Sequence, residues 1–197
     1  MKSIVRSVAL ALALVPALAA AQSSTWSIDP AHTHASFTVR HMIISNVRGE
    51  LGKVEGTLTL DEKDVTKSKV EATIDVAGID TREPKRDEHL RSADFFDVAN
   101  HPTITFKSTK VEKAGKDGLK VTGDLTIRGT TKPAVLKVTG PTAEVKDPYG
   151  KLRRGVSATT KIERKAFGVA WSAVLEGGGA VVGNDVNVEL EVELIKQ

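Results

Sequence analysis

The histidines are the side chains in this sequence best suited to acid–base or metal chemistry, and there are five of them: His32, His34, His41, His89 and His101. His32 and His34 lie two residues apart, so in an extended segment they project from the same face and could share a metal ion if a third ligand approached. The sequence contains no His-Glu-x-x-His motif to accompany them. Because isolated histidines more often form ordinary hydrogen bonds, we predict no metal site.

The motifs that usually accompany nucleophilic or phosphate chemistry are absent from the sequence. It contains no Gly-x-Ser-x-Gly elbow and no Gly-x-Gly-x-x-Gly or Walker-type phosphate loop. Cysteine is also absent, which excludes thiol catalysis, thiolate-bound zinc and disulfides. Carboxylates are numerous, but no pair is singled out for acid–base work. These residues therefore point away from an enzyme, and we predict no catalytic residue, metal or cofactor.

Most of the chain alternates apolar and polar residues with period two, the pattern of strands that bury one face. Short turns join most of these segments, which favours an antiparallel all-β fold. Long strands with open edges tend to aggregate, and closure into a barrel removes the edges. We therefore predict an eight-stranded antiparallel barrel. The eight segments are 35–43, 54–60, 70–76, 104–106, 119–127, 134–138, 156–162 and 186–194.

The last of these segments alternates most clearly. Its apolar residues from Val186 to Leu194 face one way, and Glu189, Glu191 and Glu193 face the other. We expect the valines and leucines to point into the barrel and the three glutamates to lie in solvent.

A stretch in the middle of the chain interrupts the alternation. It concentrates charged residues and holds three of the five phenylalanines, Phe95, Phe96 and Phe106. Thr81 is a suitable N-cap, so we predict a short helix within 82–93. Two interpretations remain open here. The aromatic side chains either fill the core at one end of the barrel or form part of a pocket wall with the charges at its mouth.

Residues 1–21 have the pattern of a secretory signal peptide. Lys2 and Arg6 provide a positive start, a short apolar run follows, and Ala19-Ala20-Ala21 supplies the small residues of a cleavage site. The apolar run is too short to span a membrane. We predict cleavage after Ala21 or within two residues of it, which leaves one exported domain, 22–197, without an integral membrane segment. Loss of the two basic residues lowers the formal charge from +3 to +1, which does not indicate a nucleic-acid-binding surface.

Slim side chains on the inward faces predict an open lumen. An eight-stranded barrel is about wide enough to hold one small ligand or to be filled by side chains, and aromatic residues make up only 4% of this chain. His89 and Arg91 are candidates for contact with the polar end of a ligand. From the alternation, the residues expected to line the lumen or shape one end are Phe37, Val39, Leu58, Ile74, Val76, Phe95, Phe96, Phe106, Leu125 and Ile127.

A series of motifs runs through the predicted mature chain. They are Ile28-Asp29-Pro30-x-His32, Phe37-x-Val39-Arg40-His41-Met42, Ile79-Asp80-Thr81, Arg86-Asp87-x-His89-Leu90-Arg91-Ser92-x-Asp94-Phe95-Phe96-Asp97, His101-Pro102-x-Ile104-Thr105-Phe106-x-Ser108, Gly123-Asp124-Leu125-Thr126-Ile127-Arg128-Gly129, Arg164-x-x-Phe167-Gly168-Val169 and Val182-Gly183-x-x-Val186. Together they closely resemble the motifs of the YceI-like polyisoprenoid-binding family. The sequence departs from that pattern at Leu51, where an aromatic residue is usual, at Glu163, where asparagine is usual, and at Ala166, where an acid is usual.

This resemblance implies an extended, lipocalin-like barrel whose apolar lumen holds a long isoprenoid chain or a similar lipid, in a periplasmic protein without catalytic residues. It also implies a homodimer and an association with isoprenoid-quinone metabolism, lipid transport or storage, or stress responses. Two other functions remain open. One is an enzyme that acts on such a lipid, with His32, His41 or His89 as acid–base groups. The other is a stress-protective structural protein with a filled barrel.

Overall fold

The computed structural model describes residues 23–116 and 118–197, and eleven strands of these residues form one antiparallel sheet. The predicted signal peptide and its cleavage site lie outside the described residues. The strands are β1 (Ser23–Ile28), β2 (His34–His41), β3 (Ser45–Glu50), β4 (Val54–Asp61), β5 (Lys69–Asp75), β6 (Thr103–Ala114), β7 (Gly118–Ile127), β8 (Thr130–Thr139), β9 (Val145–Lys146), β10 (Leu152–Glu163) and β11 (Val182–Lys196).

The sheet closes into a barrel through β11. One edge of β11 pairs with β10 along most of its length, and the other edge pairs first with β2 and then with β1. The closed circuit runs β11–β1–β4–β5–β6–β7–β8–β10 and returns to β11, so it contains eight strands. The predicted eight-stranded antiparallel barrel is therefore confirmed. The β2–β3 hairpin is added to β11 beyond the end of β1.

Three strands that the alternation did not predict, β1, β3 and β9, lie beside strands that it did. β3 reads Ser-Asn-Val-Arg-Gly-Glu and has one large apolar residue, Val47, so it carries no period-two signal. It is a strand because it pairs with β2 from Ser45 to Glu50. Pairing with a neighbour therefore decides the structure here, rather than the burial of a face.

The predicted short helix is α1 (Pro84–Arg91). Pro84 occupies its first turn, where a fixed φ suits the helix and the missing N–H is not needed. The N-cap is Glu83, whose carboxylate accepts from the Lys85 N–H, so the predicted cap at Thr81 is wrong. Thr81 instead donates its N–H and hydroxyl to the Asp87 carboxylate, at 2.8 and 2.5 Å, and so ties the helix to the preceding chain.

Three single-turn 3₁₀ helices complete the secondary structure of the described residues: Val65–Lys67, Val76–Gly78 and Arg164–Phe167. None of the helices described, in 23–116 or 118–197, is long and apolar enough to cross a membrane.

Most of the buried apolar side chains form two clusters. The first lies under α1, since Leu90 packs against it, and consists of Val76, Phe95, Ile104, Leu125, Ile127, Phe167 and Val169. The second surrounds Trp26 and consists of Trp26, Ile28, Ala35, Val54, Leu60 and Leu194. Leu51 and Ile74 pack against both clusters and are only partly buried, so packing is less complete between the two clusters than within them.

Candidate functional site: an apolar cavity in the barrel

The barrel encloses a cavity of about 260 Å³, just below the range of roughly 300–1,000 Å³ that is usual for small-molecule sites. Every side chain on its wall is hydrophobic except those of Ser68, Lys69, Thr160 and Arg164. Such a wall offers a ligand few hydrogen bonds, so binding must come mainly from the removal of apolar surface from water.

The wall is apolar but not tightly packed. Wall residues that are only half-buried include Leu58, Val70, Ile74, Phe106, Val156, Leu190 and Val192. Side chains of this size do not meet across the lumen, so part of their surface faces the cavity. A filled core of the same fold would bury these residues completely. The amino acids on the inward faces therefore leave the middle of the barrel unfilled.

Nine of the ten residues predicted from the sequence to line or shape the lumen lie on the cavity wall. They are Phe37, Val39, Leu58, Ile74, Phe95, Phe96, Phe106, Leu125 and Ile127. Contact of these residues with a ligand remains a prediction.

The tenth, Val76, does not lie on the wall. β5 ends at Asp75, whose carboxylate accepts from the Ala77 N–H and begins the 3₁₀ helix Val76–Gly78. The period-two alternation stops there, and Val76 packs within the cluster under α1. The predicted position of Val76 is therefore wrong, because a helical turn replaces the last residue of the expected strand.

Further wall residues come from β8, β10 and β11, and they are not among the ten residues predicted from the sequence. They include Leu136, Val138, Val156, Ile162, Val186, Val188, Leu190 and Val192. The alternation of those three strands contained the signal that would have found them.

His89, a predicted head-group residue, does not lie on the wall. Its Nε2 atom is 2.9 Å from Oδ2 of Asp94. Its ring stands edge-on to Phe95 and to Trp171, with 5.0 Å between centroids in each case. The side chain therefore packs beneath α1 beside the cavity's aromatic end. Contact of His89 with a head group remains a prediction.

Arg91, the other predicted head-group residue, joins α1 to the segment before it. Its Nε and Nη2 donate to the carbonyl oxygens of Ala77 and Ile79, both at 2.8 Å. These bonds use donors that a head group would need, and Arg91 is not a wall residue. Its contact with a ligand also remains a prediction.

Arg164 is a buried cation at the α1 end of the cavity. It was not among the predicted site residues and appears in the sequence only as the start of the motif Arg164-x-x-Phe167-Gly168-Val169. Its side chain is 6% exposed. It donates to the carbonyl oxygens of Val169 and Trp171 at 2.7 Å, of Gly183 at 2.8 Å and of Val182 at 3.1 Å. Burial lowers the pKa of this guanidinium below its ordinary value. Arg164 thus clamps the loop that follows it to the start of β11.

Arg153 holds the opposite end of the barrel by ion pairs. Its guanidinium donates to the carboxylates of Asp29 and Asp147, both at 2.7 Å, and to that of Glu193. Hydrogen bonds from His32 and then Arg153 lower the pKa of Asp29 to about 2.

Glu193 is half-buried and pairs with Arg153, so the expectation that it lies in solvent is wrong. Glu189 and Glu191 are exposed as expected.

Three residues around Arg153 carry atoms that could bind a metal ion, which concerns the prediction that the protein has no metal site. Potential ligand atoms of Asp29, His32 and Glu193 lie within 4.8 Å of one another, and His34, the partner considered from spacing, is exposed on β2. The Arg153 guanidinium bonds both carboxylates. It supplies the positive charge that a metal would otherwise bring to them.

The three histidines considered singly as acid–base groups lie on different elements. His32 lies in the turn before β2, with its Nδ1 2.8 Å from Oδ2 of Asp29, His41 ends β2, and His89 lies in α1. An acid–base role for any one of them remains a hypothesis.

The closed antiparallel barrel and its apolar cavity define a lipocalin-like β-barrel protein. The sequence profile of the YceI-like domain matches residues 26–194. The chain belongs to the YceI family, as its motifs predicted.

Relatives of this chain span most of its length. It is 36% identical over 191 residues to a UPF0312 protein of Vibrio cholerae serotype O1, covering 96% of this chain and 98% of the relative. It is 41% identical over 153 residues to protein YceI of Escherichia coli O157:H7, covering 76% of this chain and 78% of the relative.

Three solved structures share the fold. The Campylobacter jejuni YceI protein superposes with a TM-score of 0.65 at 31% identity, covering 80% of this chain and 90% of that one. BcnA of Burkholderia cenocepacia gives a TM-score of 0.70 at 23% identity, with coverages of 84% and 98%. A polyisoprenoid binding domain from Saccharophagus degradans, implicated in plant cell wall breakdown, gives 0.63 at 14% identity, with coverages of 87% and 98%.

Proposed function

We propose that this protein is a periplasmic carrier that holds a long-chain isoprenoid, or a similar amphiphilic lipid, in the lumen of its barrel. The observation that carries the proposal is the half-buried apolar wall, because it leaves hydrophobic surface facing an enclosed space. Each Å² of apolar lipid surface taken from water into such a space contributes roughly 25 cal/mol. A long hydrocarbon chain is therefore the ligand that this wall recognises best.

The nine wall residues predicted from the sequence are the proposed binding residues. Those on β2, β4, β5, β6 and β7 line the length of the tube, while Phe95 and Phe96 shape its α1 end. A site of this kind selects ligands by chain length and girth, since the wall has few polar groups with which to read chemical detail.

An isoprenoid is the favoured lipid for two reasons. The motifs resemble those of a polyisoprenoid-binding family, and the polyisoprenoid binding domain from Saccharophagus degradans has the same barrel fold. The signal-peptide pattern of residues 1–21 supports export to the periplasm. A link to isoprenoid-quinone metabolism or to stress responses belongs to the same proposal, as does the homodimer that the resemblance implies.

The first test is native mass spectrometry of the protein purified from its own periplasm. We expect a co-purified lipid with the mass of an intact polyprenyl compound. The protein stripped of lipid should then take up a labelled polyprenyl compound from dispersion and return it chemically unchanged. Failure to bind any long-chain lipid would exclude the carrier function, and recovery of a converted product would favour an enzyme.

A pair of substitutions on β4 tests whether the ligand occupies the lumen. Leu58 lies on the wall, whereas its neighbour Thr59 is exposed. Leu58→Trp should narrow the lumen and reduce uptake of the labelled compound by about tenfold or more, which corresponds to about 1.4 kcal/mol, while Thr59→Trp should leave uptake unchanged. Equal uptake by both folded variants would show that the ligand does not occupy the lumen beside Leu58.

A further inference from the structure

The turn between β2 and β3 carries three consecutive exposed apolar residues, Met42, Ile43 and Ile44, and the last two are 64% and 76% exposed. β2 ends at His41 and β3 begins at Ser45, and the Ile44 N–H donates to the His41 carbonyl at 3.0 Å, so Met42 and Ile43 are the two central residues of a β-turn within this three-residue loop. Their φ angles are 50° at Met42 and 63° at Ile43. Positive φ at both positions is the type I′ geometry, for which Asn-Gly is the favoured sequence.

Isoleucine is an unfavourable residue for this backbone. A β-branched side chain at positive φ crowds its own carbonyl group, and such outliers concentrate at functional sites. This chain therefore exposes large apolar side chains at a position where both hydration and backbone geometry disfavour them. None of the three side chains belongs to the cavity wall or to a core cluster, so they contribute neither to the lumen nor to the core packing.

A glycine-rich loop adjoins the turn and extends the apolar surface. The Met42 N–H donates to the Val181 carbonyl at 2.8 Å. Ile43 packs so closely on Gly179 that a Cβ atom added there would lie 2.9 Å from Cδ1 of Ile43. Val174, in the same loop, is 83% exposed. The hairpin-tip surface, as we define it, consists of Met42, Ile43, Ile44 and Val174.

Two arginines stand behind this surface. The Arg40 guanidinium donates to the Ile43 carbonyl at 2.6 and 3.1 Å and to the Asn46 side-chain oxygen at 3.4 Å, and both acceptors are uncharged. Arg40 pairs with Asn46 across the hairpin, and Thr38 pairs with Arg48. Because residues two apart share a face, Arg48 lies on the same outer face as Arg40. An apolar tip backed by positive charge is complementary to an anionic lipid surface.

The tip also adjoins one end of the cavity. His41, the residue before Met42, pairs with Val182 of β11, and Val182 is a wall residue. Val39 of β2, also on the wall, lies three residues before Met42. The inward face of β2 thus leads from the lumen directly to the exposed turn.

We propose that the hairpin-tip surface docks the protein on an anionic phospholipid bilayer. Ile43, Ile44 and Val174 enter the acyl region, and Arg40 and Arg48 meet the lipid phosphates. Docking brings the α1 end of the cavity to the membrane from which a lipid ligand is taken. The purpose of docking rests on the proposed carrier function, but the docking itself is measurable without any ligand.

The direct experiment measures co-sedimentation of lipid-free protein with vesicles of phosphatidylethanolamine and phosphatidylglycerol. The test variant Met42→Asn/Ile43→Gly installs the residues that the turn geometry favours, so it should fold and melt at or above the wild-type temperature. We expect its vesicle affinity to fall by about tenfold or more. Arg48→Gln should weaken binding severalfold at low salt and have little effect at high salt, where surface charges are screened.

The matched control removes exposed apolar residues from the opposite end of the barrel. Val145 and Tyr149 are as exposed as the tip residues and lie beside Arg153, which pairs with Ile195 near the end of β11. Val145→Ser/Tyr149→Asn should bind vesicles like the wild type. Wild-type affinity in the tip variant, or no vesicle binding by the wild type, would overturn the proposal. The proposal would also be overturned if the sedimentation-equilibrium mass of the tip variant differed from that of the wild type while its vesicle binding was unchanged. The surface would then be an interface between copies of this chain.

Lipid transfer separates docking from carriage. The tip variant should take up a labelled polyprenyl compound from dispersion at the wild-type rate and from vesicles about tenfold more slowly. Equal rates from vesicles would contradict docking while leaving the carrier function intact. A wild type that binds vesicles but takes up lipid from neither source would contradict the carrier function while leaving docking intact.

Discussion

The two ends of the barrel are each held by an arginine, and the two arginines are balanced in different ways. Arg164 donates to four backbone carbonyls, whereas Arg153 donates to the carboxylates of Asp29, Asp147 and Glu193. Carbonyl oxygens keep the same charge at every pH that a protein meets, but carboxylates lose theirs in acid. The hydrogen bonds of Arg164 should therefore be insensitive to acid, and the ion pairs of Arg153 should weaken in it.

The difference also separates what each arginine fixes. Arg164 binds the backbone itself, so it sets the path of a loop whose own residues are mostly small. Arg153 joins side chains from the turn before β2, from the turn after β9 and from β11, and these residues lie far apart in sequence. Directional hydrogen bonds from the planar Arg164 guanidinium hold the α1 end, and the ion pairs of Arg153 hold the other end.

The largest effect that this comparison predicts comes from Arg164→Leu. The substitution leaves several buried carbonyl oxygens without donors, and each such group costs about 1–3 kcal/mol. We expect the free energy of unfolding to fall by about 3–5 kcal/mol, measured by urea denaturation. Arg164→Lys should recover only part of the loss, because an ammonium group cannot reproduce the guanidinium fork. A wild-type midpoint for Arg164→Leu would show that the carbonyl bonds do not hold this end.

Arg153→Met should destabilise the protein less than Arg164→Leu. It leaves three carboxylates close together without their cation, but Asp29 keeps its bond to His32, and Asp147 keeps the N–H donors of Tyr149 and Lys151. The loss should be greatest near neutral pH and should shrink in acid, where the carboxylates are protonated. Urea midpoints at neutral and acid pH would test both statements. A loss that does not change with pH would mean that Arg153 acts through packing alone.

Comparison of the wild type with Asp29→Asn isolates the contribution of Asp29 to the pH dependence of stability. Its pKa falls from 3.8 to about 2 on folding, so the unfolded chain binds more protons between these values and stability decreases as the pH falls. The contribution is complete above pH 3.8 and is lost through pH 2. Melting temperatures across this range should decline less steeply for Asp29→Asn than for the wild type. Arg164→Lys, by contrast, should keep the wild-type slope.

The smallest effect concerns two glutamates of β11. Glu193 pairs with Arg153, while Glu191 is exposed and accepts from the Ser157 hydroxyl at 2.7 Å. Glu193→Lys should lower the urea midpoint because it places two cations together. Glu191→Lys should change stability by no more than about 0.5 kcal/mol. Equal midpoints for the two variants would remove the distinction between a paired and a solvated position.

The alternation of the sequence predicted the barrel well because side chains on a strand change sides at every residue whatever the tertiary context. It placed Phe37, Leu58 and Leu125 on the wall from local pattern alone. It was wrong at Val76, where a carboxylate that caps a 3₁₀ turn ends the strand one residue early. It was wrong at Glu193, which alternates like Glu191 but meets an arginine.

The two end arginines lay beyond the reach of local pattern. The Asp29 carboxylate that Arg153 bonds is 124 residues away in sequence, and the Gly183 carbonyl that Arg164 bonds is 19 residues away. No spacing rule joins such residues, because the barrel brings them together only after it closes. The signal for Arg164 was indirect, in that it stands where the period-two alternation of β10 ends and begins the motif Arg164-x-x-Phe167-Gly168-Val169.

The position of β11 fixes when the barrel can form. β1 pairs with β4 and β2 with β3, but their other edges pair with β11, and Trp26 pairs with Lys196, so the barrel cannot close until nearly the whole of β11 is available. Until then β1, β2 and β10 present unpaired edges, and the tube has an open seam along its length. Closure over such a long stretch of chain is slow compared with the formation of the hairpins β6–β7 and β7–β8. A nascent chain therefore passes through a grooved, open form, and the closed tube that can retain a hydrocarbon chain is the last feature to appear.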